Sequence, residues 1–191
     1  SREKSRGVDL WECKLLGALP DEVLFMLLLC LRLAQWCGHR PSWFTLLFMA
    51  MLPKADGDTR CAATSPMQYR LWGLMRKPIR LQWELKEVED WDLCRPGRSG
   101  LDAAFVRSLD CEVAVRNGQH AGAILWDFEK CFDTVALDVL VRNALEVNFP
   151  LVDLVIALKM HMGPRRLQVL KCLPGEILPS RSILPGCTFA I

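Results

Sequence analysis

The most constraining stretch of this chain is Ala121–Asp133, where an apolar run of strand length is followed by two carboxylates six residues apart, Asp127 and Asp133. The run Ala121–Trp126 is too apolar for a solvated loop and too short to cross a membrane. It predicts a buried strand whose end presents Asp127 at a surface or cleft. A carboxylate at the end of a buried strand needs a compensating partner. Mg²⁺ is one such partner, since it prefers carboxylate oxygens and shares its remaining positions with water and substrate phosphates. Two local alternatives stay open on this stretch: Asp127 caps the following helix, or Lys130 neutralises it.

The 191 residues suit one domain or one and a half small ones, and with 51% hydrophobic residues there is material for a sizeable core. A formal charge of +2, from 24 basic and 22 acidic residues, means that any nucleic-acid contact must rest on local rather than global charge. Nine cysteines with no C-x-x-C pair argue against a zinc ribbon or a disulfide framework, and for a reducing intracellular compartment, nuclear or cytoplasmic. The apolar runs Val23–Leu31 and Trp43–Leu52 are each about half a membrane span. They read as buried core, with no membrane partner.

In chain order, residues 1–18 read as a leader or cut edge. Pro20-Asp21-Glu22 opens a helix that runs to about Trp36 and stops at Gly38. Phe44–Leu52 reads as a strand, with helix as the alternative, and Lys54–Asp58 as a turn. Ser65–Leu85 interleaves apolar and basic residues as an amphipathic helix does, with Pro78 expected to kink or end its first part. A turn at Arg95–Gly100 precedes an amphipathic helix from Leu101 to about Arg116. Thr134 is placed to cap a helix with apolar positions at Leu137, Leu140, Val141, Ala144 and Leu145. Pro150 opens another helix to about Met162, and Pro174-Gly175 divides a hairpin.

Several of these segments, in this order, resemble the reverse transcriptase domain of non-LTR retrotransposons. Leu52-Pro53-Lys54 followed by Gly57 and Arg60 is similar to the family's fingers element, and Tyr69-Arg70-Leu71-Trp72 to its next block. Gly97–Ala104 resembles the glycine-arginine turn before the palm helix. Asp127–Asp133 resembles motif A, within 123–135, and Leu184-Pro185-Gly186-Cys187 the start of motif B, within 182–191. The resemblance implies an α+β fold of the right-hand polymerase type, mostly helical with a small antiparallel sheet. Residues 19–100 would be fingers-like, and residues 101–191 a partial palm with helices returning to the fingers.

The activity so implied is Mg²⁺-dependent extension of a DNA primer on an RNA template by deoxynucleoside triphosphates. Two metals would clamp the attacking and leaving oxygens of the transfer. Asp127 would be the catalytic carboxylate, holding Mg²⁺ together with the backbone carbonyl of Phe128. Lys54 and Arg60 would contact the triphosphate. Phe132 would collide with a ribose 2′-hydroxyl and so select deoxynucleotides, and Gly186 would let backbone approach the nascent base pair. Arg70, Arg76, Lys77, Arg80 and Arg98 are candidates for the template backbone.

The chain departs from the family pattern at Cys61-Ala62-Ala63-Thr64, and at Ser182 and Pro185, the first of which stands where motif B usually opens with glycine. No Asp-Asp pair occurs, so motif C and the second set of metal-binding carboxylates are missing, and this fragment is expected to be inactive. Two non-catalytic alternatives are a reverse-transcriptase-like module that binds RNA and a helical protein-interaction domain.

Overall fold

The computed structural model describes residues 9–39, 42–55, 57–87, 89, 92, 97, 99–124, 130–168, 175–184, 187 and 189. Among them, Asp127, Phe128, Gly186 and Arg98 do not appear, so the roles expected of those four lie outside the described residues.

The chain starts with α1 (Cys13–Gly17), α2 (Asp21–Trp36) and α3 (Ser42–Thr45). It then forms the hairpin β1 (Leu47–Pro53) and β2 (Thr59–Thr64), and a long helix, α4 (Met67–Glu87). The helices α5 (Gly100–Arg116), α6 (Cys131–Thr134), α7 (Leu137–Glu146) and α8 (Leu151–His161) follow, and β3 (Arg165–Gln168) and β4 (Glu176–Ile177) complete the sheet. The fold is mixed α and β, mostly helical. Its strand order is β2-β1-β3-β4.

The expected small antiparallel sheet is in fact mixed, because β1 and β3 pair in parallel from Leu47↔Arg165 to Ala50↔Gln168. A parallel pair needs a long crossover, and here the whole helical middle of the chain supplies it. Gly163 makes the return possible. A Cβ on Gly163 would stand 2.4 Å from the Thr45 carbonyl oxygen, so the turn from α8 into β3 passes against the backbone just before β1. Leu47 N–H then donates to Pro164 O at 3.0 Å and starts the pairing.

The core lies between β1, α4, α8 and the C-terminal segment. Leu47, Tyr69, Trp72, Ile156 and Met160 are all but fully buried in it. Tyr69 and Trp72 stack with centroids 6.0 Å apart, and Phe189 tilts onto Trp72 at 5.1 Å. The polar tips of these rings are satisfied as buried aromatics require. Trp72 Nε1 donates to Gln35 Oε1 at 3.1 Å, and Tyr69 Oη lies 3.1 Å from Cys187 Sγ. Lys159 Nζ donates to Gly38 O, joining α8 to the end of α2.

Most local expectations correspond to elements seen here, and the departures have physical reasons. The helix α4 does not end at Pro78 but continues through it to Glu87. The carbonyl that Pro78 leaves without a helical donor belongs to Leu74, which is exposed, so solvent can serve it. Thr134 does not cap α7; it ends α6, where its Oγ1 turns back to Cys131 O at 3.1 Å, and Ala136 occupies the cap position. The leader is not a frayed edge throughout, since Asp9 Oδ2 accepts from Met67 N at 2.6 Å and so caps α4.

The predicted buried strand is not seen over its described part, residues 121–124, while Leu125, Trp126 and Asp127 lie outside the described residues. Ala121–Ile124 form no regular element, and Ile124 is 81% exposed. A strand persists only when a ladder partner and a covering face are present, and neither reaches these four residues. Burial also fails along α2, where Leu31 alone is buried while Phe25, Met26 and Leu33 are exposed. The helix α5 forms where it is expected, opened by a capping box of Ser99 and Asp102 not anticipated from the sequence, yet it buries none of its residues.

Gly163→Ala tests the crossover. The added methyl group meets backbone rather than a flexible side chain, so the variant should lose about 2 kcal/mol or more of stability in urea unfolding. An unchanged midpoint would show that the close approach to Thr45 is not required.

Candidate functional site

Three segments distant in sequence converge beside the sheet. The first is the β1–β2 turn. Gly57 takes φ 85°, Lys54 N–H donates to Asp58 O at 2.7 Å, and Lys54 Nζ pairs with Asp58 Oδ2 at 3.0 Å. The Lys54 hydrogen bond, then the Thr59 N–H, hold the Asp58 carboxyl below its usual range, and Lys130 adds a small favourable field. Arg60 is exposed on β2, in register with Leu52.

The second segment is α6. Lys130 enters it in the left-handed conformation at φ 50°, and Phe132 follows with 43% of its surface exposed. Asp133 lies close enough for its charge to act on both Cys61 and Arg165. Burial pushes the Cys61 thiol up, and the Asp133 charge adds to that. These charges put Asp133 of α6 within reach of Cys61 on β2 and of Arg165 at the start of β3.

The third segment, residues 182–184, is tied to the second through backbone. Ser182 N–H donates to Val135 O at 3.0 Å, and Ile183 N–H donates to Phe132 O at 2.9 Å. Ser182 itself sits at φ 101°, a conformation that favours glycine and is costly for a side chain. It is held there by its surroundings. Arg165 Nη1 donates to Ser182 Oγ at 3.1 Å and Arg165 Nη2 to His161 O at 2.9 Å. Leu184 N–H donates to His161 Nδ1 at 3.1 Å.

Arg165 and His161 were not legible as site residues, though one signal existed. Adjacent arginines on a strand must point to opposite faces. Arg166 takes the exposed face and pairs with Glu176 at 2.8 Å, leaving Arg165 inside, 7% exposed. Burial lowers the Arg165 pKa, and the charges of Asp133 and Cys61 partly restore it. Burial, aided by the Arg165 charge, takes His161 down to about 4. His161 is therefore neutral at pH 7, which its role as acceptor from Leu184 requires.

The cations expected on a template face are divided. Lys77 is exposed on α4. Arg76 instead faces inward, its Nε 2.6 Å from Oδ1 of the fully buried Asp153. Burial raises the Asp153 pKa against the lowering effect of Arg76. Arg70 Nε donates to Ser65 O at 3.0 Å, and Arg80 pairs with Glu84 at 3.2 Å. Among the described residues no group of three or more His, Cys, Asp or Glu is placed to hold a metal ion. None of the described helices is long and apolar enough to cross a membrane.

Two measurements separate structural from recognition roles here. Arg76→Ala leaves Asp153 buried without its partner, so a loss of roughly 3 kcal/mol in unfolding free energy is expected. A loss of nucleic-acid affinity at unchanged stability would contradict that assignment. For His161, the folded pKa lies below the unfolded value near 6.5, so its contribution is fully present above that pH. Stability should fall by about 3 kcal/mol as pH drops from roughly 6.5 towards 4, with Asp153 acting in the opposite sense at the acid end. His161→Asn keeps an acceptor for Leu184 and should flatten this slope; an unaltered slope would place its origin elsewhere.

The sequence matches no model of a known protein family, and no curated protein matches it.

Proposed function

We propose that this chain is part of a reverse transcriptase of the non-LTR type, contributing nucleotide- and template-binding parts of an RNA-directed DNA polymerase. One observation carries the reading. Ser182 stands where the family's motif B usually opens with glycine, and its backbone takes φ 101°, a conformation that favours glycine. That residue and Ile183 are hydrogen-bonded to the carbonyls of Val135 and Phe132, at the end of the segment resembling motif A. The β1–β2 turn with Lys54 and Asp58 lies within the field of Lys130, so the resembling fingers element faces the same place.

In this reading Lys54 and Arg60 bind the triphosphate, and Phe132 selects against a ribose 2′-hydroxyl. Asp127 and the Phe128 carbonyl would hold Mg²⁺, which supplies charge neutralisation of the transferring phosphate. One carboxylate does not hold two such ions against phosphate repulsion, so primer extension by these 191 residues alone is not expected. Arg76 takes a structural part, which leaves Lys77 as the exposed α4 cation for a template backbone.

A second reading, a protein-interaction domain, is favoured by one specific observation: α5 carries Leu101, Phe105 and Val115 exposed and buries no residue.

The test is nucleotide binding rather than turnover. Fluorescent dATP is titrated with the chain on an RNA–DNA template-primer, with and without Mg²⁺. Lys54→Ala and Arg60→Ala should each weaken binding about tenfold, as lost charge-assisted bonds do. Asp127→Ala should remove the Mg²⁺ dependence, and Phe132→Ala should narrow the preference for dATP over ATP. Salt-dependent RNA binding without any triphosphate binding would favour the non-catalytic RNA module instead. No affinity for either would leave the interaction-domain reading.

A further inference from the structure

A cavity of about 250 Å³ lies where the end of α4, α7, α8 and Phe189 meet. Its walls are mostly apolar, with the aromatic rings of Trp83, Phe149 and Phe189 set among aliphatic side chains, and two of those rings are fixed before any ligand arrives. Trp83 Nε1 donates to Val147 O at 2.7 Å, and the Trp83 ring meets Phe149 edge-on with centroids 4.9 Å apart. Such a preformed pocket avoids the cost of ordering side chains on binding.

The lining carries polar groups at two places. Asn143 is exposed on α7 and marks the open side. His161 is 1% exposed and lies at the buried side. Because His161 Nδ1 accepts the Leu184 N–H, the proton of the neutral ring is on Nε2. That Nε2–H has no acceptor among the described residues. A buried donor without a partner is rare in folded proteins and invites an acceptor from outside the chain. By comparison with a cavity of roughly 150 Å³ that accommodates benzene, this one suits a molecule of about ten heavy atoms.

We propose that this cavity is a binding site for a small, flat, apolar molecule of bicyclic size that carries one hydrogen-bond acceptor, a carbonyl oxygen or its equivalent, directed at His161 Nε2. The acceptor takes the unspent histidine proton, and the ring system fills the space between Trp83, Phe149 and Phe189. The site is independent of polymerase chemistry, since it uses none of the residues assigned to nucleotide or metal.

The experiment compares 1-tetralone with tetralin, which share a bicyclic frame and differ in the carbonyl. The probes are titrated into the ¹⁵N-labelled chain, and long-range nitrogen–proton spectra follow the imidazole of His161, one of three histidines. The free protein should show the Nε2–H tautomer. Tetralone should shift that resonance and the Leu184 amide saturably, and bind roughly fivefold more tightly than tetralin, the increment of one net hydrogen bond. Ala144→Leu and Leu140→Phe, which fill the cavity, should each weaken tetralone binding at least tenfold at unchanged far-UV dichroism. Equal affinities for the two probes, or a proton on Nδ1, would overturn the proposal. So would shifts that spread over α2 and α5 and persist in the filled variants, since those report adsorption to exposed apolar helices. If both variants fail to fold, the tetralone–tetralin comparison in the unaltered chain decides by itself.

Discussion

A guanidinium buried at the start of β3 is what the rest of the structure depends on. Among the described residues Arg165 has no carboxylate within ion-pair distance; it is held by the Ser182 hydroxyl and the His161 carbonyl, with the charge of Asp133 nearby. A buried charge is costly unless its donors are spent; here Nη1 and Nη2 are spent while Nε finds no partner among the described residues, and the two partners come from different parts of the chain. That requirement draws residues 182–184 onto the end of α8 and forces Ser182 into a conformation suited to glycine. The same residues then reach across to the carbonyls of Phe132 and Val135. One buried cation thus sets the relation of α6, α8 and the C-terminal segment, which is the geometry any nucleotide site in this region would use.

The remaining charges follow the same logic of burial. The ion pair of Arg76 and Asp153 fastens α4 to α8 next to the aromatic core, and the basic residues of α4 are only partly a surface for binding. Apolar residues are distributed unevenly. The core cluster draws on β1, α4, α8 and Phe189, while α2 and α5 display most of their large side chains. Exposed apolar faces of that extent mark surfaces that associate with something, and they make aggregation of the isolated chain a natural consequence.

Much of the local structure was legible because its signals are local. Pro20-Asp21-Glu22, Gly38, the turn before Leu101, and Pro150 each act within a turn of backbone, and the corresponding helices lie close to where they are expected. The turn at Lys54–Asp58 is of the same kind, and β3 and β4 pair antiparallel as a hairpin would, with Pro174 itself outside the described residues. Ala121–Ile124 misled because strand propensity is a statement about neighbours, and no neighbour pairs with them here. The candidate site was legible in the same uneven way. Lys54, Arg60 and Phe132 are singled out only by the family resemblance, whereas Arg165, His161 and Asp153 carry no motif and acquire meaning only from what surrounds them.

The sequence by itself determined where most helices begin and end and where the chain turns. Those properties depend on backbone conformation and side chains within a few residues of one another. Only the tertiary structure decided that β3 joins β1 in parallel, that Arg76 serves Asp153, and that Ser182 and Ile183 close onto Val135 and Phe132. Each of these links residues more than forty positions apart. Such pairings are chosen by the burial of charge and apolar surface across the whole molecule, which no local pattern encodes.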